Sequence, residues 1–131
     1  MIKPVPNSVF DACDPQGVKL LTRLRLCLSH LRDHKFRHGF NNTIDPFCPC
    51  TIEIESISHF FLRCHDFHIQ RLGLMNELFF INPDILQYDD NTLTELLLYG
   101  NSHFSIEMNS KIINASIIFI KETNRFSEQL F

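Results

Sequence analysis

Four residues in the middle of the chain carry metal-binding donors at close spacing. They are Cys48, Cys50, His59 and Cys64, in the order C-x-C-x8-H-x4-C. Thiolate sulfur and imidazole nitrogen are donors that zinc prefers, and three Cys with one His is a recurrent structural set that fills all four tetrahedral positions. An ion so enclosed has no position left for a substrate or water, so the expected cofactor is one structural Zn2+. Cys48 and Cys50 flank Pro49, on a turn that brings two sulfurs together. His65 and His68 follow closely and stand as alternative ligands. Buried free thiols are common in their own right, but three Cys and a His in so short and loop-rich a stretch favour a metal.

Other reactive groups are more isolated. The total of five cysteines is odd, so disulfides alone cannot use them all; Cys13 and Cys27 have no activating partner nearby. His30, His34 and His38 recur every four residues among Arg and Lys, which repel a cation. A solvated or phosphate-facing surface is the expectation there, ahead of a second metal site. Tyr88-Asp89-Asp90 reads as a turn with acidic helix-capping character. No glycine-rich phosphate loop, nucleophile elbow or paired catalytic carboxylate motif is present, so no enzymatic activity is expected.

The elements that must position the four donors are helical. Residues 1–16 hold Pro4, Pro6 and Pro15 and read as an extended lead-in to a single domain over 17–131. From Val18, Leu21, Leu24, Leu28 and Leu31 share a helical face, with a break near Ser29 and an end at Gly39. Residues 40–51 form a loop, and the zinc-binding insert spans 47–65. His59 would open a short helix over 58–63. Five residues of ideal helix turn through ~500°, so this helix must stop before Cys64 for the sulfur to fold back. A helix over 66–80 should turn Leu72, Met75 and Leu78 or Phe79 inward, and Asn82-Pro83 should stop it. Thr92 and Glu95 have capping-box spacing for a helix over 93–99, closed by Gly100. A last helix over 106–124 carries Ile113, Ile117 and Ile120 on one face and Met108, Ile112, Ala115 and Phe119 on the next. The expected fold is mainly α: a small helical domain with an irregular zinc-knuckle-like insert.

Composition agrees. The 131 residues are 44% hydrophobic and 21% charged, with only four Gly, which suits one helical domain and not a β-barrel or a disordered chain. Apolar runs are far too short to span a bilayer, and no signal-peptide core is present. A soluble, intracellular protein of the cytoplasm or nucleus is expected. The net charge of −3 excludes a wholly basic coat but hides segregation. Residues 17–40 hold Lys19, Arg23, Arg25, Arg32, Lys35 and Arg37 against Asp33 alone, whereas 77–110 hold six acids and no base. The basic stretch is either a face for nucleic-acid phosphate or a helix surface paired with the acidic half of the same domain.

The stretch Leu20-Leu21-Thr22-Arg23-Leu24-Arg25-Leu26, then Leu28 to His38, followed by Cys48-Pro-Cys50, His59-Phe-Phe-Leu and Cys64, resembles the C-terminal part of reverse transcriptases of non-LTR retrotransposons. The likeness runs from Asp14 through Leu97-Leu98-Tyr99-Gly100 to Asn124-Arg125-Phe126 and Leu130-Phe131. It implies a zinc-binding appendage that holds RNA or DNA with low specificity beside a polymerase. Ligand roles fall on Cys48, Cys50, His59 and Cys64, and nucleic-acid contacts on Arg23, Arg25, Arg32, Lys35 and Arg37. Cys27 stands where relatives often have Gly, which would permit a tight bend. The polymerase and endonuclease regions are missing, so a fragment or relic, without catalysis, is expected. The competing function is a zinc-stapled protein-interaction domain that binds no nucleic acid itself and docks on the polymerase or another partner.

Overall fold

Helix α1 (Pro15–Arg25) starts ahead of the expected Val18 because its N-terminus is capped. The Asp14 side chain accepts from the Gln16 amide, and Pro15 takes a position where a missing N–H leaves no bond unmade. The computed structural model describes residues 14–39 and 45–126. The lead-in up to Cys13, part of the 40–51 loop and the last five residues lie outside this range.

Three helices follow the expected plan and one short helix precedes them. Helix α2 (Arg32–Arg37) leads into the cysteine-bearing insert. Beyond it come α3 (His68–Ile81), a 3-10 turn (Pro83–Gln87), α4 (Asp90–Tyr99) and α5 (Ile106–Glu122). Among the described residues the one strand-like pairing is an isolated antiparallel bridge, Phe47 to Ile54. The fold is mainly α. Helix α5 is its axis: α1, α3 and α4 all pack on it. Ile112, Ile113, Ala115, Ile117, Phe119 and Ile120 are buried, as the two expected faces require. Gly17 of α1 lies so close to α5 that an added Cβ would sit 2.1 Å from Ile117 Cγ2.

The break after α1 is sharper than periodicity suggests. The Cys27 amide donates to the Leu24 carbonyl (3.2 Å) and the Leu28 amide to the Arg23 carbonyl (2.8 Å). This bond pair is a Schellman motif, whose reversing residue is left-handed and commonly Gly. Cys27 occupies that position at φ +57°. The bend that Gly would ease is therefore made by a residue with a Cβ. It also turns Leu28 out to solvent, against the expected face, while Leu21, Leu24 and Leu31 remain buried.

Two further expectations need correction. In α3 the inward pair is Leu74 and Leu78, with Met75 half-buried; Leu72 and Phe79 are exposed. Helix α4 is capped by Asp89, whose carboxylate accepts from the Thr92 amide at 2.7 Å, so Thr92 lies inside the helix and its pairing with Glu95 is not the cap. Gly100 closes α4 at φ +72° and Asn82 stops α3, both as expected; the Asn82 side chain also caps the turn after it.

The left-handed Cys27 and the crowded Gly17 give opposite predictions. Cys27→Gly should raise stability by about 1 kcal/mol by removing the left-handed penalty. Gly17→Ala should lower it by about 1–3 kcal/mol, because the methyl must displace Ile117. Urea unfolding of the metal-loaded protein measures both.

Candidate metal centre

The insert begins as a narrow loop. The Glu55 amide donates to the Pro46 carbonyl (2.9 Å) and the Cys48 amide to the Glu53 carbonyl (3.0 Å), which sets the Phe47–Ile54 bridge. At its tip the Thr51 amide returns to the Cys48 carbonyl (2.8 Å), with Thr51 itself left-handed at φ +68°. This turn points Cys48 and Cys50 towards the second half of the insert.

That half is a π-helical turn, His59–Arg63. The Cys64 amide donates to the His59 carbonyl at 2.7 Å, an i to i+5 bond. The widened turn is how the chain solves the angular mismatch of an ideal helix: residues five apart are brought within one turn. Cys64 then leaves in an extended conformation, as the spacing demands. Between the two donors, Phe60 and Phe61 are fully buried and anchor the insert. The Phe60 ring meets Phe61, Phe67, Phe119 and Phe126 with centroids 5.1 to 5.5 Å apart, in the tilted and edge-on arrangements that aromatic quadrupoles favour.

The four donor atoms, from Cys48, Cys50, His59 and Cys64, all lie within 4.8 Å of one another. The closest pairs cross the insert: Cys48 Sγ to Cys64 Sγ at 3.7 Å and Cys50 Sγ to His59 Nε2 at 3.3 Å. Such a cluster could hold a metal ion. His65 and His68 are exposed and not part of it. Burial raises the Cys48 and Cys64 thiols above their ordinary pKa. The backbone amides of Cys50 and Asp66 act in the opposite sense on the two sulfurs and favour thiolates. An ion must therefore displace thiol protons to bind.

Two acids that sequence reasoning passed over complete the site. Glu53 Oε1 lies 2.6 Å from His59 Nδ1. An ionised carboxylate only accepts, so Nδ1 carries the proton and Nε2 offers its lone pair to the cluster. The Glu53 carboxyl is held below its usual pKa, first by the hydrogen bond from Arg63 and, against the effect of burial, also by that from His59. Glu55 is buried and accepts two bonds from Arg125, 2.8 Å from Nε and 2.6 Å from Nη2. It also accepts from the Arg32 amide (2.8 Å), the first residue of α2, whose own preceding residue, Leu31, provides no side-chain cap. Cys48 Sγ stands 4.0 Å from the same carboxylate. The signal for both acids is visible in the sequence: they are the only ionisable groups between Cys50 and His59, two residues apart, on the loop side opposite the exposed Ile52 and Ile54.

The five basic residues expected to form one face have different fates. Arg25 donates from Nε to the Leu98 carbonyl at the end of α4 and lies over the Tyr99 ring, 5.2 Å from its centroid. That places it inside the fold, as a clasp between α1 and α4. Arg37 is exposed and pairs with the buried Asp33 one turn away (3.0 Å), and Arg32 pairs with Asp45 (3.6 Å) at the surface. Arg23 and Lys35 are half-buried. His34 departs from the expected solvated surface: it is buried, 2.6 Å from the Ser29 hydroxyl, and burial holds its pKa down, so it is neutral. The acids paired with Arg37 and Arg32 are Asp33, from the basic segment itself, and Asp45, from the loop ahead of the insert.

No family model, characterised protein or solved structure matches the chain. Among the described residues, no helix is long and apolar enough to cross a membrane.

Glu53→Gln should weaken metal binding about 10- to 100-fold, the usual effect of removing a carboxylate behind a metal-bound imidazole. Because Cys48 and Cys64, whose thiols are held protonated by burial, must each release a proton, affinity should fall at least about 100-fold for each unit the pH is lowered through neutrality. Competition with a chromophoric chelator measures both. Glu55→Ala should destabilise the metal-loaded fold by about 3–5 kcal/mol, because it leaves the Arg125 guanidinium buried without its partner; chemical unfolding reads this directly.

Proposed function

We propose that the chain is a non-catalytic, zinc-stapled module that binds single-stranded or duplex nucleic acid through phosphate contacts. The observation that carries the zinc part is the donor geometry. A tetrahedral ion with Zn–S of ~2.3 Å and Zn–N of ~2.0–2.1 Å sets edges of roughly 3.8 Å between sulfurs and roughly 3.6 Å between sulfur and nitrogen. The two close pairs, at 3.7 and 3.3 Å, are near these lengths. Soft thiolates with one imidazole select zinc over magnesium or calcium. Cys48, Cys50 and Cys64 would hold it as thiolates and His59 through Nε2. The bound ion adds the folding energy of a structural site, and four protein ligands leave it no position for substrate. Three thiolates and a dipositive ion carry a net −1; the cationic Arg71 lies close enough to Cys64 to feel its charge.

The nucleic-acid part rests on the basic segment and on the resemblance to the retrotransposon reverse transcriptases. Arg37 is exposed, though its Asp33 partner is buried, and Arg32 is part-exposed in a pair with Asp45, so both guanidinium groups reach solvent. With Arg23 and Lys35 they form the candidate contact set; Arg25 is removed from it by its internal role. In the same reading the polymerase part of such a protein is the natural neighbour.

Metal analysis of protein made with zinc present should find one zinc per chain. Cys50→Ser should abolish it and lower the melting temperature. Binding of mixed-sequence RNA should weaken steeply with salt, and neutralising Lys35 and Arg37 together should flatten the log–log salt slope by about 1.5, near 0.7–0.9 per phosphate contact. A zinc-loaded fold that ignores RNA at low salt would leave a protein-interaction domain as the function.

A further inference from the structure

Helix α3 is apolar on two opposite sides. Leu74 and Leu78 face the core. On the far side Ile69, Leu72, Phe79 and Phe80 are 77, 55, 52 and 80% exposed. At ~100° per residue these four and Asn76 fall in one stripe about 100° wide, opposite the buried pair. A helix that is apolar all round is ordinarily a buried helix, yet this side stands in solvent. Ile118 of α5, also exposed, borders it across a cleft of 240 Å3 lined by Leu74, Ala115 and Phe119 and by the carboxylates of Glu77 and Glu122.

We propose that this face is the contact between two copies of the chain. The spacing selects a second copy. Ile69, Leu72, Asn76 and Phe79 recur at intervals of three, four and three residues, the repeat by which helices pair with helices of the same pattern. Asn76 lies at the middle of the stripe, between Leu72 and Phe80. A two-fold axis there sets Asn76 against Asn76 of the second copy, where the two amides satisfy each other; a single Asn in such a seam fixes register and holds association at two. The stripe carries no charge, so it offers nothing to phosphate and meets no repulsion from itself. Its apolar area also suits a dimer. Two large aromatics and three aliphatics, each about half or more exposed, present on the order of 500–600 Å2, at the upper end of the largest patch a monomer usually shows. With a polar rim this approaches the ~800 Å2 per partner of a stable interface.

Sedimentation equilibrium of the zinc-loaded full chain tests the proposal. The expected result is a dimer, with Leu72→Glu and Phe80→Glu each raising its dissociation constant about 100-fold or more while zinc content stays unchanged. Both side chains are exposed, so the monomer fold does not depend on them. Asn76→Leu should tighten association and allow species larger than two. A wild-type chain that remains monomeric at ~100 µM, whether its face is bare or holds a different protein, overturns the proposal. So does a dimer that survives both glutamate variants.

Discussion

A single buried carboxylate, Glu55, joins three parts of the molecule that are distant in sequence. It receives the Arg125 guanidinium from the turn after α5, the first amide of α2, and stands beside the Cys48 sulfur of the metal loop. Burying two ions is expensive unless each finds a full set of partners. Arg125 also donates to the His30 carbonyl, so both ends of the pair are engaged. The next residue, Phe126, enters the aromatic cluster around Phe60. One ion pair thus sets where the metal loop lies relative to the core.

The candidate metal centre and the hydrophobic core are two sides of the same five-residue turn. His59 and Cys64 face the sulfurs, while Phe60 and Phe61 between them face α5. An α-helical turn would present these side chains at the wrong angles for both tasks; the π turn accommodates both at once. A domain of this size has a small core. Ligands that hold an ion only in the folded arrangement add their binding energy to folding, and the phenylalanines carry that constraint into the helices.

Features set by local chemistry were legible in the sequence. The donor set follows from residue type and spacing, the end of α4 from Gly100, and the two faces of α5 from a broad apolar period. Features set by distant partners were not. Arg25 looks like any surface base of a helix until α4 arrives beside it, and His34 looks solvated until Ser29 and the loops close over it. In α3 a helix with apolar residues on both sides gives periodicity no way to choose, so Leu78 and Phe79 stay open as alternatives, of which Leu78 is buried, and Leu72 is expected where Leu74 stands. Glu53 and Glu55 sit among isoleucines that face outward, the inverse of the usual pattern, because each acid has a cation waiting. Cys27 occupies a backbone position that favours Gly, which side-chain chemistry alone does not disclose.

The distance along the chain between Glu55 and Arg125, seventy residues, bears on the order in which the protein is made. Synthesis proceeds from the N-terminus, and short-range contacts form before long-range ones. The donors between Cys48 and Cys64 are all present once residue 64 has emerged, and closing so short a loop carries a modest entropic penalty. The helix on which α1 and the insert rest comes much later, as does the guanidinium that neutralises Glu55. A nascent chain can therefore bring its four donors together early, but it must keep Glu55 solvated and Phe60 uncovered until α5 is complete.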